Sequence, residues 1–388
     1  MNTMAMFCFC LITAPVAAQS VLLVGPGQPY ADIQSAIQAA VPNDVVLIAA
    51  GTYAPFTLDK PITLRTAVPG AAVFVDASQW VAVALPNTGR ALIDGLHFLG
   101  HVGVSAPSGA STGGALSLVD VTVESGTTVT DADLALTNCT MVGPATINLG
   151  YPGIELFGTA HLSATGSTIH GAHTSSFLLG GAAVDVADQA QAHLSSCVLL
   201  GGESLSHFSA LGAPGLNTRM QGRAWLVDCD VSGSLAAGIP PQSAIRNVST
   251  EPVLIERCTL TAGQFAPVTI GVVQSHLLLG IATPNTVVSP GGVVQVDYHT
   301  QPGLFVASHV GFTIQAAASH PLLAEPEWGM FGSSLFLGFL TPDPQGVASL
   351  VVPVPNLPGL AHLPLWFSGW TAVGLPVEVA PLANVILR

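Results

Sequence analysis

A nine-residue pattern recurs through the middle of this chain and narrows its possible folds more than any other feature. It appears in ALSLVDVTV (115–123), DLALTNCTM (133–141), HLSATGSTI (161–169), QAHLSSCVL (191–199), RAWLVDCDV (223–231) and PVLIERCTL (252–260). Each copy has two apolar positions spaced by two, a two-residue step, and two more apolar positions spaced by two. With Cys229 as anchor, the equivalents are Val121, Cys139, Ser167, Cys197 and Cys258, and an earlier copy, ALIDGLHFLG, supplies Leu96. Successive anchors are 25, 18, 28, 30, 32 and 29 residues apart. Alternation means strand, and the step breaks the alternation. Without a bend there, one apolar pair in each copy would face solvent. Each repeat is therefore strand, corner, strand, with Gly95, Asn138, Gly166 and Asp228 at the corner.

A third strand is expected upstream. Twelve residues before the anchors stand Glu155, Asp185, Asn217 and Arg246, flanked by Ile154/Leu156, Val184/Val186, Leu216/Thr218 and Ile245/Asn247. Three short strands per turn, repeated at variable length, predict a parallel β-solenoid. An open solenoid end needs a cover. Ile33, Ala36, Ile37 and Ala40 share one face of a short helix that Pro42-Asn43 ends, and strands follow at 45–49 and 62–65.

The run DVVLIAAGTY, followed by LDKPITLR, resembles the amino-terminal cap and first coil of right-handed parallel β-helix proteins of the pectin-lyase-like superfamily. The resemblance covers roughly residues 21–280. From about Thr283 the pattern changes to VVQVDYHT, HVGFTIQAA, SSLFLGFLT and ASLVVPVPN between Pro/Gly turns. The expectation is an all-β chain: a β-helix over 19–282, then a β-sandwich-like domain over 283–388. VPNLPGLAHLPLWFSGWTA resembles a carboxy-terminal β-domain of secreted bacterial proteins. No long linker separates the two parts, so they are expected to pack together.

The first 18 residues read as a signal peptide, with an apolar run from Met4 to Ile12 and Val16-Ala17-Ala18 before a cleavage at Gln19. The expected location is secreted or cell envelope. Downstream, Gly and Pro interrupt every apolar run before the ~18 residues that span a bilayer. The net charge is −14, with no basic cluster, so nucleic-acid binding lacks its electrostatic footprint. A polyanionic glycan is disfavoured for the same reason, unless calcium bridges it. A monomer is expected, with no cofactor and no metal.

The mature chain keeps Cys139, Cys197, Cys229 and Cys258. The repeat stacks Cys229 inward between Cys197 and Cys258. Their Cβ atoms then stand near the ~4.8 Å strand spacing, beyond the 3.5–4.5 Å of a disulfide. Buried free thiols are favoured; a strained or rearranged disulfide is the alternative. Asp228 reads as a corner residue and Asp230 as a surface charge.

The resemblance implies that ligands lie along the outer face of the first strand of each coil. Glu155 and Asp185 would be adjacent carboxylates there, with coupled titration, and Asn217 and Arg246 would be positioning groups. Carboxylates about 5–5.5 Å apart suit a retaining glycosidase. Outward sheet positions are also polar by default. Arg219 should share this face, and His170, His173 and His207 sit in the long loops beside it. In the carboxy-terminal part, Trp366 and Trp370 are candidate sugar-stacking rings. The superfamily's catalytic signatures are missing: no Asp-Asp pair with Gly-His-Gly and Arg-x-Lys, no esterase pattern and no Asp-Pro-His. Two functions remain open. One is a non-catalytic scaffold with polysaccharide as its ligand. The other is a glycoside hydrolase or polysaccharide lyase built on Glu155 and Asp185.

Overall fold

A computed structural model describes residues 20–388 except 109, 111–112, 145–149, 174–179, 204–211, 235–241, 264–265, 276–277, 285–286, 312–316, 319–326, 329–333, 358–363, 372–377, 380–382 and 388. The expected signal peptide lies outside these residues. Among them, three parallel sheets of nine, eleven and nine strands stack as a β-solenoid. Each coil passes through a leading, a middle and a trailing sheet. One full coil is Ile154–Phe157, His161–Thr165 and Thr168–His170. Three-strand coils follow from the repeat as expected.

The anchors occupy one inward row. Leu96, Val121, Cys139, Ser167, Cys197 and Cys229 are buried, and Cys258 is partly buried at the last coil. The corner before them is left-handed in every copy: Gly95, Asp120, Asn138, Gly166, Ser196, Asp228 and Arg257 all have φ between 51° and 77°. A single left-handed residue turns the chain sharply, and Gly, Asn and Asp adopt it at least cost. A second left-handed corner, not expected from the pattern, joins leading to middle sheet at Asp131, Gly158, Asp188 and Met220.

The helix Ile33–Ala39 covers the first coil. Asp32 caps it by accepting from the Ser35 N–H at 2.7 Å, and Ile33, Ala36 and Ile37 join the solenoid core. Lys60, the chain's one lysine, donates to the carbonyls of Ile37, Gln38 and Ala40 at 2.9, 2.7 and 2.8 Å. A cation on the last carbonyls satisfies groups that the helix leaves open.

From Gly280–Ala282 onward the strands pair antiparallel, except for Val287–Val288, which pairs in parallel with Ile386–Leu387. This strand, Val293–His299 and Val347–Pro353 form one sheet. A six-stranded sheet that includes Val306–Gly311, Leu335–Leu340, Pro364–Thr371 and Ala383–Leu387 faces it. Val294, Val296, Val306, Phe367 and Val385 meet between them. Tyr298 crosses this core, sharing a 2.7 Å hydrogen bond with Ser308 Oγ and donating to the Ser368 carbonyl at 2.9 Å. A buried phenol needs such partners.

The two parts pack together. Ile386 rests on Leu92 and Val119, and Leu278 on Trp225 and Val227, all on the middle sheet's outer face. Ser195 Oγ donates to the Ile281 carbonyl and accepts from its N–H. Arg257 pairs with Asp228 at 2.8 and 3.0 Å and donates to the His299 carbonyl at 3.0 Å. Among the described residues no helix is long and apolar enough to cross a membrane.

Candidate functional site

The leading sheet's outer face carries one continuous row. Thr57, Ala82, Gly103, Thr128, Glu155, Asp185, Asn217, Arg246 and Ile270 are in-register neighbours on successive strands. The twelve-residue offset from the anchors therefore does align Glu155, Asp185, Asn217 and Arg246.

Contacts within the row are uneven. Asp185 is clamped: Arg219 Nε and Nη2 reach its two oxygens at 3.2 and 3.1 Å, and Asn217 Nδ2 donates to Oδ1 at 3.1 Å. Arg219 thus holds Asp185 by one charge-assisted hydrogen bond through Nε and a close ion pair through Nη2. Arg219 also stands 3.8 Å from Glu155, with its guanidinium 5.6 Å above the Phe157 ring. Arg219 lies two residues beyond Asn217 on Leu216–Met220, so strand alternation returns it to the same face. Arg246 is exposed and makes no ion pair among the described residues. The cluster is thus Glu155, Asp185, Asn217 and Arg219, with Arg246 beside it.

Burial raises the Glu155 pKa, the Asp185 charge adds to the rise, and Arg219 offsets part of it. The Glu155 side chain is 27% exposed and the Asp185 side chain 12%. Chemically, the face offers one carboxyl that holds its proton more readily than usual and one held by two N–H donors and an ion pair.

The loop histidines are separate from this cluster. His170 ends the trailing strand; burial, with His173 nearby, lowers its pKa. His173 Nδ1 accepts from the Glu203 N–H at 3.2 Å. His207 lies outside the described residues. Among the described residues no three His, Cys, Asp or Glu side chains converge on a point suited to a metal ion.

Of the two tryptophans, Trp366 is 3% exposed and presents no open ring face to a ligand. Trp370 is half-buried with its ring 4.6 Å from that of His309. Cys139, Cys197, Cys229 and Cys258, the cysteines among the described residues, are free thiols. Cys229 Sγ donates to the Leu194 and Val227 carbonyls at 3.4 and 3.3 Å, and burial among Cys197 and Cys258 pushes its pKa up. Cys139 is pushed to about 12 by burial. The buried Cys139 and Cys229 lack the exposure that thiolate reactivity needs.

Three features escaped the reading of the sequence. Arg257 sits one residue before Cys258 as Asp228 does before Cys229, so the register that pairs the cysteines pairs these two charges as well. His193 stacks on Trp225 at 4.4 Å beneath the carboxy-terminal sheets, again as register neighbours. Trp80 is 71% exposed and leans on His101, in a stretch with no repeat to place it. Compared with known proteins, the chain matches no family model and no curated protein.

Proposed function

We propose that this is an exported β-helix protein of the pectin-lyase-like kind, acting as a non-catalytic extracellular or envelope scaffold for a neutral polysaccharide. The observation that carries this reading is the Asp185 clamp. A nucleophile or base must present a free lone pair to substrate. Asp185 Oδ1 takes two N–H bonds, from Arg219 Nε and Asn217 Nδ2, Oδ2 is ion-paired with Arg219 Nη2, and Arg219 stands near Glu155 as well. Of the row's charges, Asp185 and Glu155 are balanced by Arg219, and Arg246 stands exposed beside them. The acidic net charge of −14 favours a neutral glycan over a uronate polymer.

Co-sedimentation of the mature chain with insoluble neutral polysaccharides, followed by analysis of polymer length, tests this. Binding without chain shortening is the expected result. Failure to bind any of them rejects the scaffold reading.

The second reading, a polysaccharide-active enzyme, has one observation in its favour: the raised Glu155 pKa beside an in-register carboxylate. It requires chain shortening by the wild type that is lost in Glu155→Gln/Asp185→Asn.

A further inference from the structure

Leu335–Leu340 is the end strand of the six-stranded sheet, and among the described residues no strand pairs with its outer edge. A free edge presents a row of unpaired N–H and C=O groups, and folds normally guard it with charge, proline or a cover. Other sheet ends in this molecule are guarded. The first coil of the solenoid lies under the helix Ile33–Ala39. Val347–Pro353, the end strand of the facing sheet, runs into Pro353 and Pro355. LFLGFL has neither charge nor proline.

This edge also exposes large apolar side chains. Leu335 is 52%, Phe336 46% and Phe339 73% exposed, whereas Leu337 and Leu340 pack against the sandwich core. Phe336 and Phe339 are three residues apart, so regular alternation would put them on opposite faces. A register shift opposite Ser308/His309 puts both on one face, Phe336 opposite His309 and Phe339 opposite Ala307. Their rings meet edge-on at 5.1 Å. Gly338, at the shift, has φ of 143°, a conformation open to glycine. Nearer the middle of the sheet the same face is covered, where Ile386 rests on Leu92 and Val119. At the end strand it stands in solvent.

The strand is complementary to itself. Laid antiparallel against its own copy about its centre, Leu335 meets Leu340 and Phe336 meets Phe339, and each pair occurs twice. A two-fold axis perpendicular to the sheet keeps the same face outward in both copies, so four Phe rings gather on one side. Aromatic cross-strand pairs are among those that stabilise a sheet. Electrostatics favour the same place. With a net charge of −14, two copies repel over most of their surfaces. VASHVG, LFLGFL and PLWFSGWT contain no Asp, Glu, Lys or Arg.

We propose that Leu335–Leu340 pairs antiparallel with the same strand of a second copy, joining two sandwiches into one continuous sheet. The contact is one strand edge and four rings, smaller than a standard interface. A dissociation constant on the order of 1–100 µM is expected. The pairing does not depend on whether the chain binds a glycan.

Sedimentation equilibrium of the full mature chain, from about 1 to about 300 µM, tests this. The expected result is a reversible monomer–dimer equilibrium. Phe339→Asp sets a carboxylate against the other copy's rings and weakens association by about tenfold or more. Phe336→Ala weakens it in the same direction. Ile270→Asp, at an exposed apolar residue of the last solenoid coil, leaves it unchanged. Circular dichroism checks that each variant folds. The register has its own readout. Phe336→Cys and Phe339→Cys chains, each also carrying Cys258→Ser, are mixed in equal amounts and treated with a short bis-maleimide. Cross-links between unlike chains should outnumber those between like chains. A chain that stays monomeric throughout overturns the proposal. So does a dimer that persists in Phe339→Asp, one that is lost in Ile270→Asp, or one whose cross-links show no preference for unlike chains.

Discussion

At the scale of single residues, the burial of a group determines what it does here. The Asp-Cys-Asp of AWLVDCDVSG has the look of a reactive centre, yet its three residues go to three environments. Asp228 turns the corner and holds Arg257, Cys229 fills the core, and Asp230 is exposed. Thiol labelling checks this directly. Cys139, Cys197 and Cys229 should stay unlabelled in the native protein and react in full after denaturation; rapid native labelling would contradict the inward row. His193 gives a second residue-scale outcome. Burial beneath the carboxy-terminal sheets lowers its pKa from 6.5 to about 3. The unfolded chain then binds this proton below pH 6.5, whereas the folded chain does not until about pH 3. The stability from a neutral His193 is complete above pH 6.5 and is lost as pH falls toward 3. The ceiling on that loss is on the order of 5 kcal/mol. Thermal melts across this range should show a decline that His193→Phe reduces; an identical decline in the variant would exclude His193 as its source.

At the scale of elements, the strands and the anchor-side corners were legible because their cause is local. Period-two alternation and a two-residue step leave one solution that buries both apolar pairs. The second corner was not legible, since no one side-chain type runs through Asp131, Gly158, Asp188 and Met220, only a φ between 52° and 63°. The partners of outward residues were hidden for a different reason. They follow from which side chains can reach across the 4.8 Å between coils. Asp185 therefore took Arg219 from the next strand, whereas Arg246, two strands away, did not join it. Arg257 shows what such a link is worth. It joins two corners and reaches the His299 carbonyl, so it ties solenoid to sandwich. Arg257→Ala should lower stability by on the order of 1 kcal/mol in chemical denaturation; no change would mean that solvent screens the pair fully.

At the scale of the molecule, the sandwich covers part of one side of the solenoid. Leu92, Val119, Trp225 and Val227 point away from the solenoid core and are still buried, by Ile386 and Leu278. A chain ending at residue 275 should expose this face and aggregate, and a soluble, monomeric product with native melting would refute the dependence. The sequence had indicated close packing only through the absence of a linker; the surfaces that meet were not legible, because outward apolar residues on the middle sheet read like ordinary strand positions. The same scale decides between scaffold and enzyme. Catalytic groups are commonly held at a cost to stability, so removing them tends to stabilise the fold. A row that exists to stack coils behaves in the opposite way. Equilibrium denaturation of Arg219→Ala, alone and with Asp185→Asn, measures this. The scaffold account predicts that Arg219→Ala destabilises by on the order of 1–3 kcal/mol, by leaving Asp185 and Glu155 without their shared cation, and that adding Asp185→Asn restores much of the loss. An Arg219→Ala protein as stable as the wild type, or more so, would contradict it.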